Sequence, residues 1–135
     1  MSVHDAVLFA NEAFYVAFAN ADLDAMDDVW SQAAPVACIH PGWQALTTRN
    51  EVLESWARIF SNDQQPAIAC RGAQAFLQGD VSFVICYEVV GSDVLVATNI
   101  FRREGSRWRM VHHQSGPAAG PAPAADEPEA SLRPN

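Results

Sequence analysis

Along the first twenty residues, apolar side chains recur at Val7, Ala10, Phe14 and Phe18, with Leu8 and Tyr15 widening the stripe. Steps of three and four place them on one face of a helix running from about Asp5 to Ala19. Asn20-Ala21-Asp22 breaks the pattern, and Asp22 is suited to cap a second helix with Leu23, Met26 and Trp30 inward. Its Asp24, Asp27 and Asp28 face water in or near the first turn, where the helix dipole favours negative charge. Val36 to His40 alternates in character and reads as a short strand, stopped by Pro41-Gly42 and followed by Trp43. Thr48-Arg49-Asn50-Glu51 has capping-box form and opens a third helix to about Phe60, with Val52, Leu53, Trp56, Ile59 and Phe60 inward.

After the polar loop Ser61 to Pro66 the pattern is that of strands. Ala67–Arg71 and Gln74–Gln78 read as two short ones. Gly79-Asp80 turns into the β-rich run Val81–Val90, and Gly91-Ser92-Asp93 signals a hairpin into Val94–Arg103. Glu104-Gly105-Ser106 turns once more into Arg107 to about Ser115. Three helices followed by a meander predict an α+β domain, with the helices packed on one face of a curved, mainly antiparallel sheet. That domain takes in residues 1–117. Beyond Gly116, prolines and alanines dominate, and residues 118–135 are expected to be a flexible tail.

Composition narrows the function classes. A chain of 135 residues, 50% hydrophobic and 18% charged, is sized for one domain with its own core. A formal charge of −8 argues against nucleic acid, whose phosphates demand a basic footprint, and against an anionic membrane surface. The first residues lack a basic start and an uninterrupted apolar run, and no stretch approaches the ~18 apolar residues of a membrane span. Three cysteines in no recognisable framework fit a reducing compartment, so a cytoplasmic protein is expected.

Four phrases carry a resemblance: Phe18-Ala-Asn-Ala-Asp-Leu-Asp-Ala-Met26, Cys38-Ile-His-Pro-Gly-Trp43, Ser55-Trp56 with Ile59-Phe60, and Trp108-Arg-Met-Val-His-His113. Together, over roughly residues 5 to 117, the chain resembles the SnoaL-like branch of the nuclear-transport-factor-2-like superfamily. The resemblance implies a cone, a bent sheet wrapped on a long first helix with a cavity at the open end, and a homodimer through the outer sheet face. Members include isomerases, dehydratases, cyclases and hydrolases as well as non-enzymatic assembly and transport modules, so the fold alone does not fix function. Compared with the ketosteroid isomerases of the superfamily, His40 before Pro41 stands at the general-base position. Asn99 stands where their buried oxyanion-binding acid lies. Phe14 matches their oxyanion tyrosine and lacks its hydroxyl, and Gln114 stands where many SnoaL-like relatives have a histidine.

The residues themselves suggest the following chemistry. His40 at a strand end can act as acid or base near neutral pH, or be a structural histidine bonded to backbone. Asn99 shares an apolar row with Leu95, Ala97 and Phe101, and can donate to a ligand oxygen or simply bond to a neighbour. Strict alternation puts His112 on the face of Trp108, Met110 and Gln114, with His113 opposite beside Val111 and Ser115. Since Met110 suits an apolar wall, His112 is expected to look into the cavity. Phe14, Trp30, Cys38, Trp43, Trp56, Ile59, Phe60, Met110 and Gln114 are the expected lining. Cys38-x-His40 puts two potential ligands on one strand face, but no metal-ligand spacing supports a site, and neither metal nor cofactor is expected. Two readings stay open. One is a cofactor-independent lyase, isomerase or hydrolase acting on a small hydrophobic molecule. In it His40 moves the proton, Asn99 steadies the oxygen and His112 assists. The other is a non-enzymatic ligand-binding or dimerisation module.

Overall fold

The computed structural model describes residues 1–125; the part of the expected tail from 126 to 135 lies outside the described residues. Three helices come first, with a short strand between the second and third: α1 Val3–Ala19, α2 Leu23–Val29, β1 Ala37–Ile39 and α3 Arg49–Phe60. Four long strands follow: β2 Ile68–Gln78, β3 Val81–Val90, β4 Asp93–Glu104 and β5 Arg107–Pro117. Each helix starts on a side chain suited to it. Ser2 accepts from the Asp5 amide at 3.0 Å, Asp22 from the Ala25 amide at 3.0 Å, and Thr48 from the Glu51 amide at 3.2 Å. The Thr48 hydroxyl in turn donates to the Glu51 carboxylate at 3.1 Å.

The sheet has the order β1-β5-β4-β3-β2, with β1 parallel to β5 and every other pair antiparallel. The result is a curved α+β cone. The long α1 packs against β2, β3, β4 and β5, and the core gathers between them around Val7, Phe14, Met26, Trp30, Trp56, Val84, Phe101 and Met110. Burial of this apolar set is the main driving force for the fold. The acids of α2 are more than a solvated face: Asp27 pairs with Arg49 at 2.9 Å and Asp28 with Arg107 at 2.6 Å, tying α2 to α3 and β5. Such exposed pairs contribute about 0–1 kcal/mol each.

Two irregularities depart from the sequence pattern. The two short strands expected at 67–71 and 74–78 are one strand, β2, whose register against β3 shifts between Arg71 and Gln74. Gly72 at that bulge has φ +64°, a conformation glycine tolerates without steric cost. In β5 the register against β4 shifts where Ile100 faces His112 and Phe101 faces Met110. The strand gains a residue there, so Trp108, Met110, His113 and Ser115 all turn inward although their numbers change parity. The first residues after β5 lie back on the sheet: the Ala118 amide donates to the Val94 carbonyl at 2.9 Å, and Arg71 donates to the Pro123 carbonyl at 3.4 Å.

Candidate functional site

A pocket of about 430 Å³ opens at one end of the cone. The ends of α1 and α3 supply Phe18, Arg58 and Ile59, and the turn after β1 supplies His40, Pro41 and Trp43. The sheet contributes Glu88 and Val90 of β3, Leu95 of β4, and His113 and Ser115 of β5. Asn62, Gln65 and Pro66 complete the wall.

His40 is set by its turn. Proline at position 41, Gly42 at φ +81° and the Trp43 amide donating to the His40 carbonyl at 2.9 Å form a type II-like turn. The turn stands the Trp43 ring edge-on to the imidazole at 4.7 Å, while Trp56 meets it from α3 at 4.8 Å. Ser55 fixes the tautomer. Its hydroxyl donates to the Val52 carbonyl at 2.6 Å, so its oxygen accepts from His40 Nε2 at 2.9 Å. That leaves Nδ1 as the unprotonated nitrogen. Burial pushes the His40 pKa down to about 4, so the ring is neutral at pH 7.

Behind the floor runs a closed polar network. Asn99 donates to the Asn11 side-chain oxygen at 2.8 Å and to the Tyr15 hydroxyl at 3.1 Å. Its own oxygen accepts from His113 Nδ1 at 2.6 Å, and Tyr15 donates to Glu88 at 2.6 Å. His113 Nε2 is left with a lone pair 3.9 Å from Glu88 Oε2, which closes the ring of contacts. Burial, with the nearby His40 and His112, pushes His113 down to about 3. Burial raises Glu88 in spite of the hydrogen bond from Tyr15 that favours its charged form. Desolvation and the neighbouring Glu88 also raise Tyr15. A carboxyl pushed up and two imidazoles pushed down therefore share one pocket, the environment in which acid and base roles separate.

Several expected positions lie elsewhere. His112 is half-buried on the outer face, and His113, 1% exposed, is the histidine that enters the pocket, because the β5 bulge reverses the alternation on which the expectation rested. The bulge also leaves Gln114 exposed on the outer face. Phe14 is core, against Trp56 at 5.5 Å and His113 at 4.8 Å; the missing phenol is supplied one residue on, by Tyr15. Trp30, Cys38 and Met110 are fully buried away from the pocket, and burial pushes the Cys38 thiol up to about 12, far from a nucleophile's range. Trp56 and Phe60 meet with tilted rings 5.6 Å apart, as the layer under the lining rather than the lining itself. Of the expected lining, Trp43 and Ile59 reach the pocket, beside His40. Asn99 sits in the floor network with both donors and its acceptor engaged.

Sequence reasoning does not single out Tyr15, Asn11, Glu88 or Ser115 for a role in the site, and it ranks His113 behind His112. Two of them carried a readable signal. Glu88 falls in step with Val84 and Cys86 on the buried face of β3, and Asn11 interrupts the apolar stripe of α1 four residues from Tyr15. Among the described residues, no group of three or more His, Cys, Asp or Glu side chains is arranged to hold a metal ion. No described helix is long and apolar enough to cross a membrane.

Comparison with known proteins agrees with this architecture. The family model of the SnoaL-like domain matches residues 7–120. A candidate dehydratase of the NTF2-like family from Streptomyces avermitilis is 31% identical and superposes with a TM-score of 0.77, over 87% of this chain and 96% of that one. A candidate calcium/calmodulin-dependent protein kinase type II association domain from Thiobacillus denitrificans is 32% identical, with a TM-score of 0.69 over 82% and 93% of the two chains. The F-box protein SKIP8 of Arabidopsis thaliana is 29% identical over 112 residues, 82% of this chain and 48% of that protein. The chain thus spans about half the length of the curated relative it matches.

Proposed function

The chain belongs to the SnoaL-like domain family, and we propose that it binds a small, largely apolar carbonyl or hydroxy compound in the cone-mouth pocket and moves protons on it. The observation that carries this reading is the convergence of His40, His113 and Glu88 on one pocket, with their pKa values displaced in opposite directions. In a dehydration, His40 Nδ1 takes the proton from the carbon beside the carbonyl, and the C–O bond of the neighbouring hydroxyl breaks as the Glu88 carboxyl protonates it. Water leaves, a C=C bond remains, and the proton on His40 returns to Glu88 through solvent. Isomerisation uses the same two groups with the proton returned to a different carbon. Tyr15 positions Glu88, and Asn99 in turn holds Tyr15 and His113; with its amide fully engaged, Asn99 does not touch substrate. The 31% identical candidate dehydratase supports the lyase class.

A second reading, binding without turnover, is favoured by one observation: an imidazole with a pKa of about 4 is a weak base at neutral pH. Proton exchange separates the two. Incubated in D₂O with small β-hydroxy carbonyl compounds and ketones, the protein is expected to place deuterium on the carbon beside the carbonyl, read by NMR. His40→Gln should slow this by about 10²–10⁴-fold while the variant stays folded with a single cooperative unfolding transition. Ligand-induced shifts in the pocket with no exchange would select the binding module, and neither shifts nor exchange would remove both readings.

A further inference from the structure

We infer that the ligand carries a carboxylate, held at the pocket mouth by Arg58 while its neutral oxygen faces the Glu88–His113 floor; this rests on the ligand-pocket reading above. Every basic residue that is not histidine in this chain is an arginine. Among the described residues the others have acceptors: Arg49 has Asp27, Arg107 and Arg109 share Asp28, and Arg102 lies 3.7 Å from Glu104. Arg71 donates to the Pro123 carbonyl and Arg103 to the Gly105 carbonyl. Arg58 lines the pocket and has no such acceptor among the described residues.

Among the described residues the missing partner is not a matter of distance along the chain. Glu54 stands four residues earlier on α3, the favourable order for a helical ion pair, yet the two do not come within 4 Å. A guanidinium without a counter-charge among the described residues, in a chain of net charge −8, is suited to an anion, and its planar fork matches a carboxylate bidentately. In the same wall the Gln65 side-chain oxygen is enclosed without a hydrogen-bond partner among the described residues, an acceptor that suits a hydroxyl of the ligand rather than its carboxylate.

Electrostatics sets the orientation. At the floor a ligand carboxylate would be desolvated beside Glu88 and a neutral His113, with no cation among the described floor residues to offset its charge. At the mouth it meets Arg58 instead, with Phe18, Trp43, Ile59 and Val90 along the apolar body between. A doubly charged phosphate fits less well, since one guanidinium offsets only part of its charge and the chain's net charge of −8 opposes it more strongly. The competing account of Arg58 is that it merely complements the C-terminal dipole of α3, in whose last turn it sits. That role needs no ligand.

The test is binding of 3-hydroxy-3-phenylpropanoate, its methyl ester and phenyl phosphate to the full chain, followed by calorimetry and by tryptophan fluorescence. The acid is expected to bind at least tenfold tighter than the ester at low salt, with the ratio shrinking as salt rises. Arg58→Gln should bring the ratio close to one, and Arg58→Lys should restore part of it. Equal binding of acid and ester, or a ratio that survives Arg58→Gln, overturns the inference; so does an Arg58→Gln variant that loses only thermal stability. Tighter binding of phenyl phosphate overturns the carboxylate assignment. If the ester binds and the acid binds no better, the pocket reading stands and this inference alone falls. If none of the three binds at millimolar concentration, the pocket reading itself fails.

Discussion

Around α2 and the β4–β5 turn, the cone is filled by Met26, Val29, Trp30, Trp108 and Met110, and Trp30 bridges directly to Met110. At the other end, the same α1, β3, β4 and β5 present Asn11, Tyr15, Glu88, Asn99 and His113, each 6% exposed or less. The first end gains stability by removing apolar area from water. The second gives up that gain and must satisfy most of its polar groups with one another, because an unpaired buried donor or acceptor costs about 1–3 kcal/mol. The contrast teaches where function can sit in this fold: one end holds the chain together, and the other spends part of that stability on preorganised dipoles and displaced pKa values.

The largest effect should come from the apolar end. Trp30→Ala empties a fully buried site and is expected to cost about 3–5 kcal/mol in chemical denaturation. Ligand shifts at the pocket should persist wherever the variant stays folded, and a variant that loses binding before stability would erase the distinction between the two ends. Asn99→Leu comes next. It leaves Asn11, Tyr15 and His113 without their partner, for a loss on the order of 1–3 kcal/mol, and it should also lower affinity at the pocket because Glu88 and His113 lose their fixed orientation. A variant as stable and as tight-binding as the parent would show the network to be ornamental.

The smallest effect is a slope. His40 and His113 have folded pKa values of about 4 and 3, below the 6.5 of the unfolded chain, so the unfolded state binds more protons between those values. Their contribution is therefore fully present above pH 6.5 and is lost as pH falls toward 4 and then 3, by at most about 1.4 kcal/mol per pH unit for each ring. Glu88 acts with the opposite sign: its raised pKa gives a contribution present below 4.5 and lost as pH rises through the folded value. Glu88→Gln should therefore steepen the rise of stability with pH, and His40→Gln should flatten it, in denaturant titrations between pH 4 and 7. A Glu88→Gln variant whose stability is level across that range would contradict the neutral burial of both rings.

Much of the fold was legible because it depends on local periodicity. The stripe Val7, Ala10, Phe14 and Phe18, the cap at Asp22 and the Thr48–Glu51 box are each read within a turn or two of helix, and each lies where expected. His40 and its Pro-Gly turn were legible for the same reason, since turn chemistry is written in consecutive residues. The half of the pocket built by β5 was not. Whether His112 or His113 enters it is decided by one extra residue between Met110 and His112, and a bulge leaves no period in the sequence of the strand that carries it; it exists only in register against β4. Nor could the chain show by itself that Tyr15, rather than Phe14, delivers a hydroxyl to Asn99 and Glu88, which lie more than seventy residues away. Short-range sterics and the spacing of apolar residues settled the elements and their class. Which polar groups meet, and how far each pKa moves, was settled by long-range packing, because desolvation belongs to the assembled interior and to no segment of the sequence.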